Sequence, residues 1–319
     1  MGRGLLFLLG IFYATAVFSQ TYPTKPVRLI VSFPPGGSSD LMARAIAPRL
    51  AERLGQQVVV ENRPGAGGNI GVDAVAKSAP DGHTIGVAAA GALSSNLSLY
   101  PSMPFHPEKD LAPISLMAMI PFFLIANPSL PFTNLKELIS FSKSKPGNLS
   151  YGHGGNGSTM HLCGELFNMM AGLQLQAVPY KGSGPVSSDV LGGQVPLGFV
   201  DVPSAIANVR AGRLRALAVT SRKRISAAPE VPTFEEAGVP GYEAVGWFGV
   251  VAPAGTPPRI VDKLNKEIAD ALSAPEIRER ALAAGAEPAT STPQEFAAFI
   301  RSEIAKWKEV IAKAKIRID

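Results

Sequence analysis

The sequence predicts an α/β protein with two lobes, each a mostly parallel sheet flanked by helices, joined as a hinged clamshell. Short β-branched segments alternate with segments of helical spacing, glycine-rich turns follow the strand-like segments, and the pattern restarts after a proline-rich passage. Alternating strands and helices with short turns are typical of open, mostly parallel sheets. About 300 residues also suffice for two domains.

The first block contains three strand-like segments with helices between them. Val27 to Phe33 is a β-branched and apolar run, and Leu41 to Leu54 has the apolar spacing of a helix. Val58 to Val60 and Thr84 to Ala90 are the next strands, with a helix from Ile70 to Lys77 between them. Because ligands on such sheets bind beyond the carboxyl ends of the strands, the loops after these strands are candidates for a site.

The second block repeats the pattern from Phe122 onward and then returns to the first. The predicted strands are 122–126, 149–151, 175–179, 197–201, 214–220 and 247–252, and the predicted helices are 135–143, 160–171, 186–191, 260–274 and 293–315. We therefore assign residues 20–121 and 248–319 to lobe 1 and residues 122–247 to lobe 2. The chain then crosses between the lobes twice, near residues 120–122 and 245–248.

The first residues are typical of an export signal. Arg3 gives a positive n-region, and the apolar run from Leu5 to Phe18 gives a hydrophobic h-region. We predict a signal peptide of residues 1–19, cleaved between Ser19 and Gln20, and a mature protein in the periplasm. The alternative is an anchor helix, but the run is shorter than the roughly 20 apolar residues that span a bilayer.

The amino-acid composition argues against several kinds of protein. Cys163 is the one cysteine of the chain, so no internal disulfide can form and the core must stabilise the fold. The net charge of +5 is mild; it weakly favours anionic ligands and does not indicate nucleic acid. No cofactor or metal is expected. The glycines at Gly65 and Gly67 are followed by Ile70 where a dinucleotide fingerprint needs a third glycine.

Six ordered stretches carry a family resemblance. They are Tyr22 to Arg28, Phe33 to Gly37, Glu61 to Gly68, Val178 to Gly182, Leu214 to Thr220 and Val250 to Pro257. As a set they resemble the Bug family, the receptors of tripartite tricarboxylate transporters, also called TctC-like solute-binding proteins. His106 and Cys163 depart from the residues common in that family.

The resemblance implies a type II-like periplasmic binding protein, a Venus flytrap whose lobes close over a ligand. It also implies small organic carboxylates as cargo and delivery to membrane transporter subunits. We expect a monomer without catalytic activity.

The segment from Phe33 to Asp40 is the most informative candidate for a ligand contact. Its prolines stiffen the chain, its glycines leave the backbone uncovered, and its serines and aspartate can cap the following helix. The first turn of a helix offers unpaired N–H groups and a partial positive charge, which suit a carboxylate. An ordinary capped turn fits the same residues, and the resemblance favours binding. The candidates here are Phe33, Pro35, Gly36, Gly37, Ser38 and Asp40.

A second helix start, at Gly157, Ser158 and Thr159, has the same chemistry in lobe 2. Closure of the lobes would bring the two helix ends together. His161 lies one turn into this helix, where a structural histidine fits as well as a contact. Ala90 and Ser94 belong to a lobe 1 loop that resembles a further cleft loop of the family.

Two further candidates carry charge. The loop of Tyr180, Lys181 and Gly182 is a further candidate for ligand contact. Lys181 can attract a carboxylate while Tyr180 forms one wall, although a solvated Lys181 side chain fits slightly better. Asp201 ends an apolar strand. It would repel an anion unless it accepts a hydrogen bond from an amine or hydroxyl, so we interpret it as an orienting or selectivity residue.

Two other functional classes remain open. A secreted hydrolase would use Ser158, His161 and Glu165, but the chain has no G-x-S-x-G elbow, no H-E-x-x-H motif and no Cys/His cluster. A ligand-sensing receptor for a signalling partner needs the same clamshell, so the sequence does not separate sensing from uptake.

Overall fold

The computed structural model describes residues 22–283 and 285–316. The predicted signal peptide and its cleavage site lie outside the described residues. Strands form two sheets flanked by helices, which confirms the predicted fold class. The strands are β1 (Val27–Val31), β2 (Val58–Asn62), β3 (Thr84–Ala89), β4 (Leu111–Ile120), β5 (Phe122–Ala126), β6 (Ser150–His153), β7 (Gln176–Pro179), β8 (Leu197–Asp201), β9 (Arg215–Val219), β10 (Gly246–Pro253) and β11 (Glu287–Pro288). The helices are α1 (Ser38–Leu54), α2 (Asn69–Ala76), α3 (Asn96–Leu99), α4 (Leu135–Ser144), α5 (Thr159–Ala171), α6 (Ser183–Leu191), α7 (Val202–Arg210), α8 (Pro258–Leu272), α9 (Pro275–Ala283) and α10 (Pro293–Ala314).

The two sheets are mixed rather than mostly parallel. The first has the order β11-β4-β10-β3-β1-β2, and the second β7-β6-β8-β5-β9. The βαβ units give the parallel pairs of β1 with β2 and β3, and of β6 with β7 and β8. The antiparallel pairs involve β4, β5 and β10. These strands lie beside the two crossings, where the chain enters a sheet from the other sheet and not from a preceding helix.

Five elements were not predicted from the sequence: β4, β11, α3, α7 and α9. β4 occupies Leu111–Ile120, in the proline-rich passage where no strand was predicted. Pro113 lies beside a register shift in the pairing with β10, where the ladder tolerates a residue without an N–H donor. Helices α7 and α9 were not predicted, because α7 begins directly at the end of β8 and α9 follows α8 after only two residues.

Helix α10 connects the two halves of the molecule. It begins with a capping box between Thr292 and Glu295, as its amphipathic sequence and start signal favour. It packs against β4 of the first sheet and against α5 beside the second. Every helix in residues 22–283 and 285–316 is too short or too polar to span a bilayer. The division into lobes at residues 121/122 and 247/248 stays a prediction.

Candidate ligand-binding cleft

A cavity of about 570 Å³ opens where the ends of the two sheets meet. Its walls come from the loops after β1, β3, β6 and β8 and from the two crossings between the sheets, which is where open α/β sheets bind ligands. The lining residues are Phe33, Gly67, Ala89, Ala90, Gly91, Asn96, Tyr100, Ile120, Phe122, Gly154, Gly155, Asn156, Gly157, Ser158, Thr159, Met160, Asp201, Gly246, Trp247 and Phe248.

The loop from Gly154 to Ser158 presents the N-terminus of α5 to the cavity. Gly155 and Gly157 have φ values of 126° and 72°, which β-carbon-bearing residues rarely adopt, so the tight loop depends on glycine. Ser158 caps α5, since its Oγ accepts the backbone N–H of His161 at 3.2 Å. The Ser158 hydroxyl can still donate a hydrogen bond, and the helix end adds a partial positive charge.

Two stacked imidazole rings make hydrogen bonds to the backbone of this loop. The rings of His153 and His161 lie 4.2 Å apart and 9° from parallel. Nδ1 of His161 accepts the N–H of Gly157 at 3.1 Å, and Nδ1 of His153 contacts Gly155. Burial lowers the pKa of both histidines to about 4, with the neighbouring ring contributing for His153. The rings are therefore neutral near pH 7 and hold the loop through its backbone.

Aromatic side chains form another part of the cavity wall. Trp247 and Phe248 belong to β10, and Phe122 begins β5, so both crossings contribute. The indole N–H of Trp247 donates to Oε2 of Glu303 at 3.1 Å. This bond and an edge-to-face contact with Phe296 at 5.7 Å fix the indole plane. The wall gives the cleft an apolar body.

Amide and hydroxyl groups from the side of the first sheet complete the cleft. Nδ2 of the buried Asn96 donates to Oδ1 of Asn69 at 2.7 Å and to the carbonyl of Gly67 at 3.3 Å. Tyr100 lines the same region. These groups are polar and uncharged.

Asp201 is the one charged residue among those that line the cavity in the described part of the chain. Its carboxylate caps α7, with Oδ1 accepting the N–H of Ser204 at 3.1 Å. Its own N–H donates to Oγ of Ser183 at 3.1 Å. Polar groups on two helices thus hold the residue at the cavity edge.

The structure divides the sequence-predicted contacts into two sets. Phe33, Ala90, Gly157, Ser158, Thr159 and Asp201 line the cavity. The others lie outside its lining: Pro35, Gly36, Gly37, Ser38, Asp40, Ser94, His161, Tyr180, Lys181 and Gly182. Ligand contact by either set stays a prediction.

Three of the side chains outside the lining, those of Asp40, Ser94 and Tyr180, bond to partners within the fold. The Asp40 carboxylate turns back on its own loop, where it accepts the N–H of Gly36 at 2.9 Å and bonds to Arg44 and Asn62. Burial alone would raise the pKa of Asp40, but these donors lower it. Ser94 donates to the carbonyl of Ala90 at 2.5 Å. Tyr180 donates to Asp189 at 2.9 Å.

Sequence reasoning missed the aromatic wall, Asn96 and Tyr100 as lining groups. The sequence could have predicted the aromatic wall, because the two crossings between the lobes were predicted near residues 120–122 and 245–248. Segments that cross from one sheet to the other line the cavity between the sheets. The signal for Asn96 and Tyr100 was weaker, since they lie after the third strand in a region with no recognisable motif.

The hydrolase arrangement does not form. Oγ of Ser158 bonds to the backbone of His161 and not to its ring, whose Nδ1 is taken by Gly157. Nε2 of His161 is 3.9 Å from Glu165, too far for a hydrogen bond. Among the residues described, no group of three or more His, Cys, Asp or Glu side chains could hold a metal ion.

Several known proteins are similar to this chain in sequence and in fold. The model of the tripartite tricarboxylate transporter family receptor matches residues 42–316. Protein BugT of Bordetella pertussis is 43% identical over 320 residues and 98% of each chain. The structure of R. palustris Rpa4515 with adipate is 41% identical, with a TM-score of 0.78, over 93% of this chain and 100% of that one. MatC from Rhodopseudomonas palustris with bound malate is 34% identical, with a TM-score of 0.73, over 91% and 100%.

Proposed function

The chain belongs to the family of tripartite tricarboxylate transporter receptors, and on this premise we propose that it captures a small organic carboxylate in its cleft and delivers it to a transporter of that type. The observation that best supports this function is the cavity between the two sheets, with the capped N-terminus of α5 in its wall. Rpa4515 and MatC, which share the fold, carry adipate and malate.

The chemistry of the cleft supports this cargo. The N–H groups and the hydroxyls of Ser158 and Thr159 can bind one carboxylate at the start of α5. Asn96 and Tyr100 can bind further ligand oxygens directly or through water. The loop from Pro35 to Asp40 lies at the start of α1 and outside the cavity lining. We propose that it contacts the ligand only after the two lobes close.

Receptors of this family are periplasmic. We propose that this chain reaches the periplasm after removal of residues 1–19 and works there as a monomer, with membrane transporter subunits as its partners. A receptor role without catalysis fits the geometry of Ser158 and His161, whose ring does not reach the hydroxyl.

The test is a thermal-shift screen of the mature protein with mono- and dicarboxylates, amino acids, aromatic acids, sugars and cationic compounds. A ligand at 100 times its dissociation constant stabilises the folded state by about 2.7 kcal/mol, so the screen uses a large excess. We expect at least one acid to raise the melting temperature and to change the fluorescence of Trp247 in the cavity wall. Stabilisation by a sugar or a cationic compound, with none by any acid, would contradict the carboxylate proposal.

A matched pair of variants locates the site. Thr159→Val removes a hydroxyl from the cavity wall with little change in shape, and we expect it to weaken binding of the best acid at least about fivefold, as loss of a hydrogen bond to a charged group does. Ser188→Ala removes a hydroxyl from an exposed residue of α6, outside the cavity lining, and should leave affinity unchanged. Equal effects of the two variants would place the ligand elsewhere.

A further inference from the structure

The charge distribution of the cleft is asymmetric. Asp201 contributes a full negative charge at one edge, and no lysine or arginine lines the cavity in the described residues. The positive partial charge at the start of α5 suits one carboxylate. A second carboxylate beside Asp201 would face a like charge without a cation to neutralise it.

We infer that Asp201 determines specificity by selecting a ligand with one carboxylate and, at another position, an amine or hydroxyl that donates to the Asp201 carboxylate. This inference rests on the proposed carboxylate-receptor function and narrows its ligand class. Dicarboxylates without such a donor bind more weakly to this chain.

The position of Asp201 in the fold makes this recognition specific. Asp201 ends β8, which lies between β6 and β5 in the second sheet, and it pairs with Phe122 across the ladder. The strand β6 leads into the loop before α5, so the aspartate and that helix start lie at the same sheet edge. One ligand can therefore reach both groups.

The carboxylate of Asp201 is also fixed and incompletely bonded. Oδ1 is occupied by the N–H of Ser204, whereas no hydrogen bond to Oδ2 occurs among the described residues. The neighbouring walls at Ile120, Phe122 and Phe248 are apolar and offer no donor side chain. An oxygen that accepts no bond from the fold is available to a ligand donor, and the apolar surroundings strengthen the interaction.

A purely structural role as the cap of α7 makes a different prediction. Asparagine caps helices about as well as aspartate, so Asp201→Asn keeps the cap and the fold while it removes the charge. If the cap were the whole role, this variant would leave the order of ligand affinities unchanged. The charge is therefore separable from the cap in one substitution.

The experiment measures affinities by titration calorimetry with ligands of equal chain length and different end groups. The six-carbon set is adipate, 6-aminohexanoate and 6-hydroxyhexanoate, and the four-carbon set is succinate, 4-aminobutyrate and 4-hydroxybutyrate. If the broader acid screen identifies another skeleton, the same three end groups are compared on it. Asp262→Asn, an exposed residue of α8, is the control with the same change in net charge.

We expect the amino or hydroxy acid to bind the native protein at least about tenfold more tightly than the matching diacid, a difference of about 1.4 kcal/mol. Asp201→Asn should bring the two within about threefold, and Asp262→Asn should preserve the tenfold preference. A native preference for the diacid, or an unchanged ratio in Asp201→Asn, would overturn the inference while leaving the carboxylate function standing. Failure of every acid would refute the proposed function itself.

Discussion

Replacement of Glu303 by alanine should destabilise the protein more than any other loss of an ion pair on α10. The Glu303 side chain is 6% exposed. Its carboxylate accepts the indole N–H of Trp247 at 3.1 Å and that of Trp307 at 2.9 Å, and it also pairs with Lys306. Both indoles are almost fully buried, so water cannot replace the lost acceptor.

The magnitude follows from these partners. A buried donor left without a partner costs about 1–3 kcal/mol, and breaking a buried ion pair costs about 3–5 kcal/mol. Since the terms overlap, we expect Glu303→Ala to lower the free energy of unfolding by about 3–5 kcal/mol. Glu303→Gln keeps one acceptor oxygen and should cost about 1–2 kcal/mol.

The assay is urea unfolding followed by far-ultraviolet circular dichroism, which does not depend on the fluorescence of the affected indoles. Glu309→Ala is the matched control, because Glu309 lies on the same helix and pairs with Lys313 at 2.7 Å but is 62% exposed. The control should lose less than about 1 kcal/mol. Losses for Glu303→Ala and Glu309→Ala that agree within about 0.5 kcal/mol would refute the argument from burial.

Two further predictions concern the support of the cleft. Gly164→Ala would place a Cβ 2.1 Å from the Tyr151 ring and should lower the free energy of unfolding by at least about 1–3 kcal/mol. The control is Gly184→Ala, whose Cβ would have nothing within 4 Å and which should be neutral or stabilising. Equal urea midpoints for the two variants would contradict this reasoning. As pH falls from 6.5 to about 4, the unfolded state binds protons that the folded His153 and His161 exclude, so stability should fall by up to about 3 kcal/mol for each ring and level off below that range. His161→Gln should show a shallower decline in urea unfolding over the same range, and an unchanged slope would rule out this origin.

Much of the fold followed from the sequence because its causes are local. The β-branched run at β1, the helical spacing of α10 and the glycine-rich turn before α5 are all set within short windows of sequence. The direction of each strand within its sheet was harder to predict from the sequence. The antiparallel pairing of β10 with β3 depends on where a distant segment returns to the first sheet.

In the cleft, too, some features have local causes and others depend on the tertiary structure. The sequence by itself determined the helix start at Ser158 and the carboxylate at Asp201, since capping and strand-end chemistry are local. Only the tertiary structure decided that Asp40 bonds to Asn62 and that Trp247 lines the cavity. The physical reason is that cavity lining depends on which side chains from distant segments meet at the crossings, and local propensities do not encode that meeting.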